Sequence, residues 1–192
     1  AIAMFNNKGG VGKTTVLCNL ASWLSLNEHK KVLVIDADPQ CNTTTYVLDD
    51  DEFLNVYYEK NTFTLNDIIL PLKTRGAYIE KEKIEVVKSK GFGFDVVAGS
   101  PKLASSEDFL SGDWKDIKAQ EIRGIRSNML FFDLLRTCDE YDFVFFDMGP
   151  SLGAINRAIL LACDYFITPM SSDLFSILAL ENIGLSLSEW KM

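Results

Sequence analysis

A lysine- and glycine-rich segment near the start of the chain has the residue types that bind phosphate groups. Residues 8–15 read Lys-Gly-Gly-Val-Gly-Lys-Thr-Thr. Glycines in such a loop let backbone N–H groups turn toward a phosphate, because no Cβ stands in the way. The lysine that closes the loop adds positive charge, and the hydroxyl after it can bind Mg²⁺. The candidate phosphate-binding residues are Lys8, Gly9, Gly10, Val11, Gly12, Lys13, Thr14 and Thr15.

The residues on either side predict a strand before this loop and a helix after it. An apolar run over residues 1–6 precedes the loop, and residues 13–28 have apolar side chains at helical spacing. The positive end of the helix dipole would then face a bound phosphate. The pattern Gly-x-x-x-x-Gly-Lys-Thr is met if Asn7 stands at the first glycine position. A glycine turn with a coincidental Gly-Lys-Thr is the alternative, and the strand–loop–helix context disfavours it.

Acidic residues end or follow two later β-rich segments. Residues 31–36 end in Asp36, with Asp38 close behind, and the apolar segment over residues 141–147 ends in Asp147. The carboxyl ends of parallel strands are where α/β sheets bind ligands. Acids at this edge can hold Mg²⁺ or its bound water, or orient an attacking water. The first pair taken alone favours a capped turn after a strand, whereas Asp147 is typical of a Walker B acid.

Together these segments resemble the ParA/MinD superfamily of P-loop ATPases. Residues 8–15 are similar to its deviant Walker A motif, and residues 36–42, Asp-Ala-Asp-Pro-Gln-Cys-Asn, resemble the Asp-x-Asp-Pro-Gln-Gly-Asn segment of ParA-type partition ATPases. Residues 147–153 are similar to the Asp-x-Pro-Pro-Ser segment of that family, and residues 165–170 resemble its next strand. The Asp-Pro-Gln and Pro-Ser-Leu-Gly stretches favour the ParA/Soj side of the superfamily.

The resemblance assigns roles to individual residues. It implies that Lys8 reaches across a nucleotide-sandwich dimer to the partner's phosphates, where the alternative is a solvated lysine at the mouth of the loop. It also implies that Asp36 supports the Mg²⁺ shell and that Asp38 positions the hydrolytic water. Cys41 replaces the family's usual glycine, and Gly149 replaces its first proline. The predicted catalytic residues are Lys8, Lys13 and Asp38, and the predicted metal-site residues are Thr14, Asp36 and Asp147.

The function implied by the resemblance is that of a switch. A ParA-like protein binds Mg-ATP, forms a homodimer around it and hydrolyses it slowly, and a ParB-like partner stimulates that hydrolysis. Its work is plasmid or chromosome partitioning in the cytoplasm, through non-specific binding to nucleoid DNA. Two alternatives stay open: a MinD-like spatial regulator that cycles on a membrane or protein assembly, and a metabolic or kinase relative that transfers phosphate to a substrate.

The order of elements predicts an α/β fold of the deviant Walker A, P-loop type, with a mostly parallel twisted sheet and helices on both faces. Residues 42–45 are predicted as a polar turn, the acidic run over 49–52 as a solvated loop, and Pro71 as a helix end. The other predicted elements are helices over 65–70, 103–110, 126–138, 153–162 and from 173, and strands over 84–87, 94–97 and 165–168. We expect residues 1–192 to form one domain whose last helix continues beyond Met192, because no stop signal precedes that residue.

Composition limits the other classes of function. The net charge of −8 argues mildly against DNA binding by this stretch, although a local basic patch is compatible with it. Four scattered cysteines and a single histidine favour reduced thiols over a disulfide or zinc framework. No segment approaches the ~20 apolar residues that a transmembrane helix needs.

Overall fold

The computed structural model describes residues 1–58, 63–74, 84–118 and 122–190. Within these residues a six-stranded sheet has the order β3-β4-β2-β5-β1-β6. All neighbouring pairs are parallel except β3 and β4, which are antiparallel. The predicted α/β class with a mostly parallel sheet is therefore confirmed. The strands are β1 Ile2–Met4, β2 Val32–Asp36, β3 Val87–Lys88, β4 Asp95–Val97, β5 Phe143–Asp147 and β6 Tyr165–Ile167.

Helices cover both faces of this sheet and enclose two hydrophobic clusters. Adjacent residues of a strand point to opposite faces, so Phe145 joins one cluster and Phe146 the other. The cluster around Phe145 includes apolar residues of α1 and α2, and the cluster around Phe146 includes residues of α4 to α8. The helices are α1 Lys13–Leu26, α2 Asn42–Val47, α3 Asp50–Tyr58, α4 Leu65–Thr74, α5 Leu103–Lys118, α6 Ile122–Thr137, α7 Ala154–Ala162 and α8 Leu174–Trp190.

Two predicted loops are helical instead. The polar turn predicted over residues 42–45 is the start of α2, and the acidic run over 49–52 leads into α3. Glu52 accounts for the second difference: its N–H donates to Asp49 Oδ1 at 2.8 Å, and Asp49 N–H donates to Glu52 Oε2 at 3.0 Å. This reciprocal pair is a capping box, which fixes a helix start through residues three apart.

Pro71 lies inside α4 rather than at its end. A proline in a helix lacks the N–H for one backbone hydrogen bond. Burial of Leu65, Ile68 and Ile69 in the core anchors the part of the helix that precedes this proline. The predicted strands over 84–87 and 94–97 are shorter than expected and form the antiparallel edge hairpin of β3 and β4.

None of the helices in the described part of the chain is both long enough and apolar enough to cross a membrane. For the final helix, residues 191–192 lie outside the described residues, so the expectation that it continues past Met192 stays a prediction.

Candidate functional site

The lysine- and glycine-rich loop joins β1 to α1 at the carboxyl edge of the sheet. Gly10 and Gly12 have φ angles of 73° and 81°, in the left-handed region that side chains disfavour. An ideal Cβ placed on Gly9, Gly10 or Gly12 meets no atom within 4 Å, so the space above the loop is open. Gly12 is the N-cap of α1 and has no side chain to cap it, which leaves the first N–H groups of the helix available to an anion.

Two asparagines precede the loop, and the first of them anchors it. Asn6 is fully buried; its Nδ2 donates to the Pro169 carbonyl at 2.7 Å, and its Oδ1 accepts the Lys8 N–H at 2.9 Å. Asn7 stands at the position where the motif has its first glycine. Its Oδ1 is buried and has no hydrogen-bond partner among the described residues. The asparagine in place of the motif's first glycine therefore leaves one buried polar atom without a hydrogen bond among the described residues.

Lys13 is the buried cation of the site. Its side chain starts at the first residue of α1, and its Nζ donates to the Lys8 carbonyl at 3.5 Å. Burial lowers the pKa of Lys13, while the charges of Asp147 and Asp38 act in the opposite direction. The structure therefore brings the predicted phosphate-binding lysine together with two of the predicted acids.

Asp147 and Thr14 supply oxygen atoms that fit a Mg²⁺ ion. Thr14 Oγ1 donates to Asp147 Oδ2 at 2.7 Å, and Asp147 Oδ1 is buried with no partner among the described residues. Burial is the main reason that the pKa of Asp147 is raised. Mg²⁺ is commonly held by one or two carboxylates together with substrate phosphates. Among the described residues, no group of three or more His, Cys, Asp or Glu could hold a metal ion.

Asp36 is satisfied by its own chain. Its Oδ2 accepts the Thr44 N–H at 2.8 Å and the Thr44 hydroxyl at 2.6 Å, and its Oδ1 accepts the Asp38 N–H at 3.3 Å. Burial raises its pKa to about 7, against the opposing effect of the Thr44 hydrogen bonds, and the charge of Asp147 adds to the increase. Asp36 lies beside Asp147 in the strand register. Its predicted support of a Mg²⁺ shell stays a prediction.

Asp38 faces the loop after β5. Its Oδ1 accepts the Gln40 N–H at 2.9 Å, and a Cβ on Gly149 would lie 3.2 Å from the same oxygen. A side chain at position 149 would therefore crowd this carboxylate. Asp38, the predicted water-positioning acid, thus packs against Gly149, the residue that stands where the family has a proline.

Lys8 is paired within the single chain. Its Nζ lies 2.5 Å from Asp173 Oδ2, with both side chains about one-third exposed (33% and 34%). Asp173 Oδ1 also accepts the Ser176 N–H at 3.0 Å, at the start of α8. In this conformation Lys8 is therefore ion-paired within its own chain, and its role across a dimer stays a prediction.

Several residues that shape the site were not found from the sequence. Gly99 packs against Asp36 so closely that a Cβ there would lie 2.9 Å from the carboxyl carbon. Asn156 Nδ2 donates to the carbonyls of Gly149 and Ser151 at 2.8 and 2.7 Å. No sequence signal joins Gly99 to Asp36, and no motif indicates that Asn156 bonds carbonyls shortly before it in the chain. Thr43 and Thr44 lie in the segment that the sequence predicts as a polar turn, and that prediction gives no sign of their bonds to Asp147 and Asp36.

Comparison with protein families and curated proteins gives consistent matches. The model of the family AAA_31, described as an AAA domain, matches residues 1–190. The virulence plasmid ParA family protein pGP5-D of Chlamydia psittaci is 34% identical over 185 residues, which are 95% of this chain and 61% of that protein. The chain thus spans about three fifths of the length of that relative.

Two solved structures are similar over nearly all of the chain. A protein from Corynebacterium diphtheriae is 37% identical with a TM-score of 0.87, covering 98% of this chain and 66% of that one. A plasmid partition protein from Borrelia burgdorferi is 25% identical with a TM-score of 0.76, covering 100% of this chain and 74% of that one. The predicted resemblance to ParA-type proteins is confirmed by these matches.

Proposed function

The chain belongs to the AAA_31 family of AAA domains and is of ParA type, and on that premise we propose that it is a Mg-ATP-dependent ATPase that dimerises around its nucleotide. One observation carries the proposal. An open glycine loop, the buried Lys13 and Asp147 converge at one edge of the sheet, and Asp147 Oδ1, beside Thr14, has no partner in the described part of the chain. These are the groups that bind the phosphates and the Mg²⁺ ion of a nucleoside triphosphate.

The reaction is attack of water on the γ-phosphate, which gives ADP and phosphate. Loop N–H groups and Lys13 bind and orient the phosphates, and Asp38 orients the water. Thr14 and Asp147 would hold Mg²⁺, which when bound neutralises charge on the phosphate oxygens. Catalysis then comes mainly from positioning and charge stabilisation.

Lys8 is the residue that links the two protomers in the proposed dimer. Within one chain it is paired with Asp173 and contributes its backbone carbonyl, rather than its charge, to Lys13. In the proposed dimer its side chain leaves Asp173 and reaches the partner's phosphates. Lys13 and Lys8 therefore have separable functions, one in binding and one in assembly.

The proposed cellular role is partition of DNA. A plasmid ParA family protein and a plasmid partition protein are among the relatives. We therefore assign to this chain a ParB-like activating partner, non-specific DNA as the surface on which the dimer is retained, and a cytoplasmic, nucleoid-associated location.

Substitution of the two lysines tests the proposal. We expect Lys13→Ala to abolish binding of a fluorescent ATP analogue, because the buried cation opposite the phosphates is lost. Lys8→Ala should keep affinity within about threefold of wild type but abolish ATP-dependent dimers in light scattering. The control is Lys30→Ala, an exposed lysine that precedes β2 at the opposite edge of the sheet. An unchanged ATP dimer in the Lys8 variant contradicts the dimer model, and unchanged nucleotide binding in the Lys13 variant contradicts the site itself.

A further inference from the structure

Thr43 makes a buried contact with Asp147 that the proposed reaction does not use. Its side chain is fully buried in the first turn of α2. Thr43 Oγ1 lies 2.6 Å from Asp147 Oδ2, across 104 positions of sequence. The contact joins a short helix to the end of the central strand β5.

The direction of this hydrogen bond follows from the donors available. An ionised carboxylate only accepts, so both Thr43 and Thr14 donate to the same oxygen, Oδ2 of Asp147. On its other side the Thr43 hydroxyl lies 3.9 Å from Cys18 Sγ. Burial raises the pKa of Cys18 to about 12, so that neighbour stays a thiol, and a thiol can donate to the hydroxyl. The one hydroxyl proton of Thr43 is then directed at Asp147.

Two donors on one oxygen determine where the other oxygen points. With Oδ2 held by Thr14 and Thr43, the carboxyl group of Asp147 has a fixed rotation, and Oδ1 is the atom left without a partner among the described residues. The neighbouring Thr44 holds Asp36 in a similar way, and Asp36 is the register partner of Asp147. The first turn of α2 therefore fixes the acids of two adjacent strands.

We propose that Thr43 is a positioning residue for Mg²⁺: its hydroxyl orients Asp147 so that Oδ1 faces the metal. This inference rests on the proposed function, because it assumes a Mg-nucleotide at the loop. Groups that orient a metal ligand commonly change metal affinity 10- to 100-fold when they are removed. Thr43, unlike Thr14, is not itself a predicted metal ligand, so its substitution changes the orientation of Asp147 without removing a ligand.

The test measures Mg²⁺ dependence without hydrolysis. Binding of a fluorescent ADP analogue is titrated with Mg²⁺, and measured again in EDTA, for wild type, Thr43→Val and Thr43→Ser. We expect valine, which has the same shape without the hydroxyl, to raise the half-saturating Mg²⁺ concentration about tenfold and to leave affinity in EDTA unchanged. Serine keeps the hydroxyl and should restore the wild-type value. The matched control is Thr45→Val, an exposed neighbour on α2 whose hydroxyl bonds the Cys41 carbonyl.

Each outcome decides the question. An unchanged Mg²⁺ titration in Thr43→Val overturns the proposal, and so does an equal loss of affinity with and without Mg²⁺, which indicates damaged packing. If Thr43→Val does not fold, by circular dichroism, Thr43→Ala takes its place and is compared with serine in the same way. A wild-type protein that shows no Mg²⁺-dependent nucleotide binding contradicts the proposed function instead.

Discussion

Asp36 and Asp147 are side by side on adjacent strands, and burial disfavours the charged form of both. In the proposed complex the lysine and metal around the phosphates offset this cost. In the nucleotide-free protein the cost remains, and it can be measured as a pH dependence of stability.

We predict that the nucleotide-free, metal-free protein loses stability as pH rises from about 4 to about 7. The pKa of Asp36 is about 7 in the folded chain and about 3.9 when unfolded. Between these values the native state binds more protons than the unfolded state, so the free energy of unfolding falls with increasing pH. One such group gives a slope approaching about −1.4 kcal/mol per pH unit. Urea unfolding in EDTA at several pH values measures this slope.

The comparison needs a variant in which residue 36 cannot ionise. Asp36→Asn should flatten the slope, whereas the exposed Asp108→Asn should leave it as in wild type. A slope that is the same in wild type and Asp36→Asn would show that Asp36 does not titrate in this range.

Cys41 illustrates what sequence can indicate about a single residue. It was recognised as a departure from the family's glycine, and its φ of 53° is in the left-handed region that glycine tolerates best. The sequence therefore shows that a cysteine replaces a glycine at this position, but it does not show that Cys41 adopts a left-handed backbone conformation. Its Sγ fills the space beside Gly99, where an added Cβ would lie 3.1 Å away.

At the level of elements, the loop after β5 is held from inside by one side chain. Asn156 is buried on α7, and its Nδ2 reaches back to the carbonyls of Gly149 and Ser151. Glu107 of α5 accepts the N–H groups of Ala154 and Ile155 at the start of the same helix. Two helices thus determine the position of the segment that Asp38 packs against.

We predict that Asn156→Ala loosens this segment. Loss of the amide removes two hydrogen bonds, one to the Ser151 carbonyl and one to the buried Gly149 carbonyl, which still accepts the Ser151 N–H. At about 0.5–1.5 kcal/mol for each bond, the loss costs about 1–3 kcal/mol of stability. Hydrogen exchange should rise at residues 149–154 with smaller changes in the sheet, as measured by mass spectrometry. Asn19→Ala is the control, because its amide bonds only an exposed carbonyl on α1. Uniformly faster exchange across the chain would instead indicate global destabilisation.

Elements with a continuous or periodic apolar pattern could be predicted from the sequence, and the polar helices α2 and α3 could not. Strands β2 and β5 and helix α1 have continuous or periodic apolar patterns, so their positions were correct within a few residues. Helix α2 has few apolar residues, and its side chains are satisfied by acids on the sheet. The glycine loop and its acids are likewise predicted by motif. Thr43 instead acts through a contact 104 positions away in the sequence, and Asn156 acts through local bonds that no motif indicates.

At the scale of the whole molecule, the question is which surface retains the ATP-bound protein. We predict ATP-dependent retention on DNA and none on anionic liposomes, as expected for a partition protein, with retention on DNA falling as salt rises. With a net charge of −8, such binding requires a local basic patch. Co-sedimentation of the purified protein with each surface measures this, and Lys13→Ala serves as the control without nucleotide. Retention on liposomes alone would favour the MinD-like alternative.

The ion pair between Lys8 and Asp173 sets a concentration threshold for the proposed dimer. Asp173 belongs to the same chain, so its effective concentration near Lys8 is constant, whereas a partner's phosphates become available only as protein accumulates. A partly exposed ion pair contributes about 1 kcal/mol or less. A symmetric dimer breaks one pair in each protomer, so the two pairs together shift the monomer–dimer midpoint by about 30-fold at most. The pair therefore delays assembly to a higher local density of protein and does not prevent it.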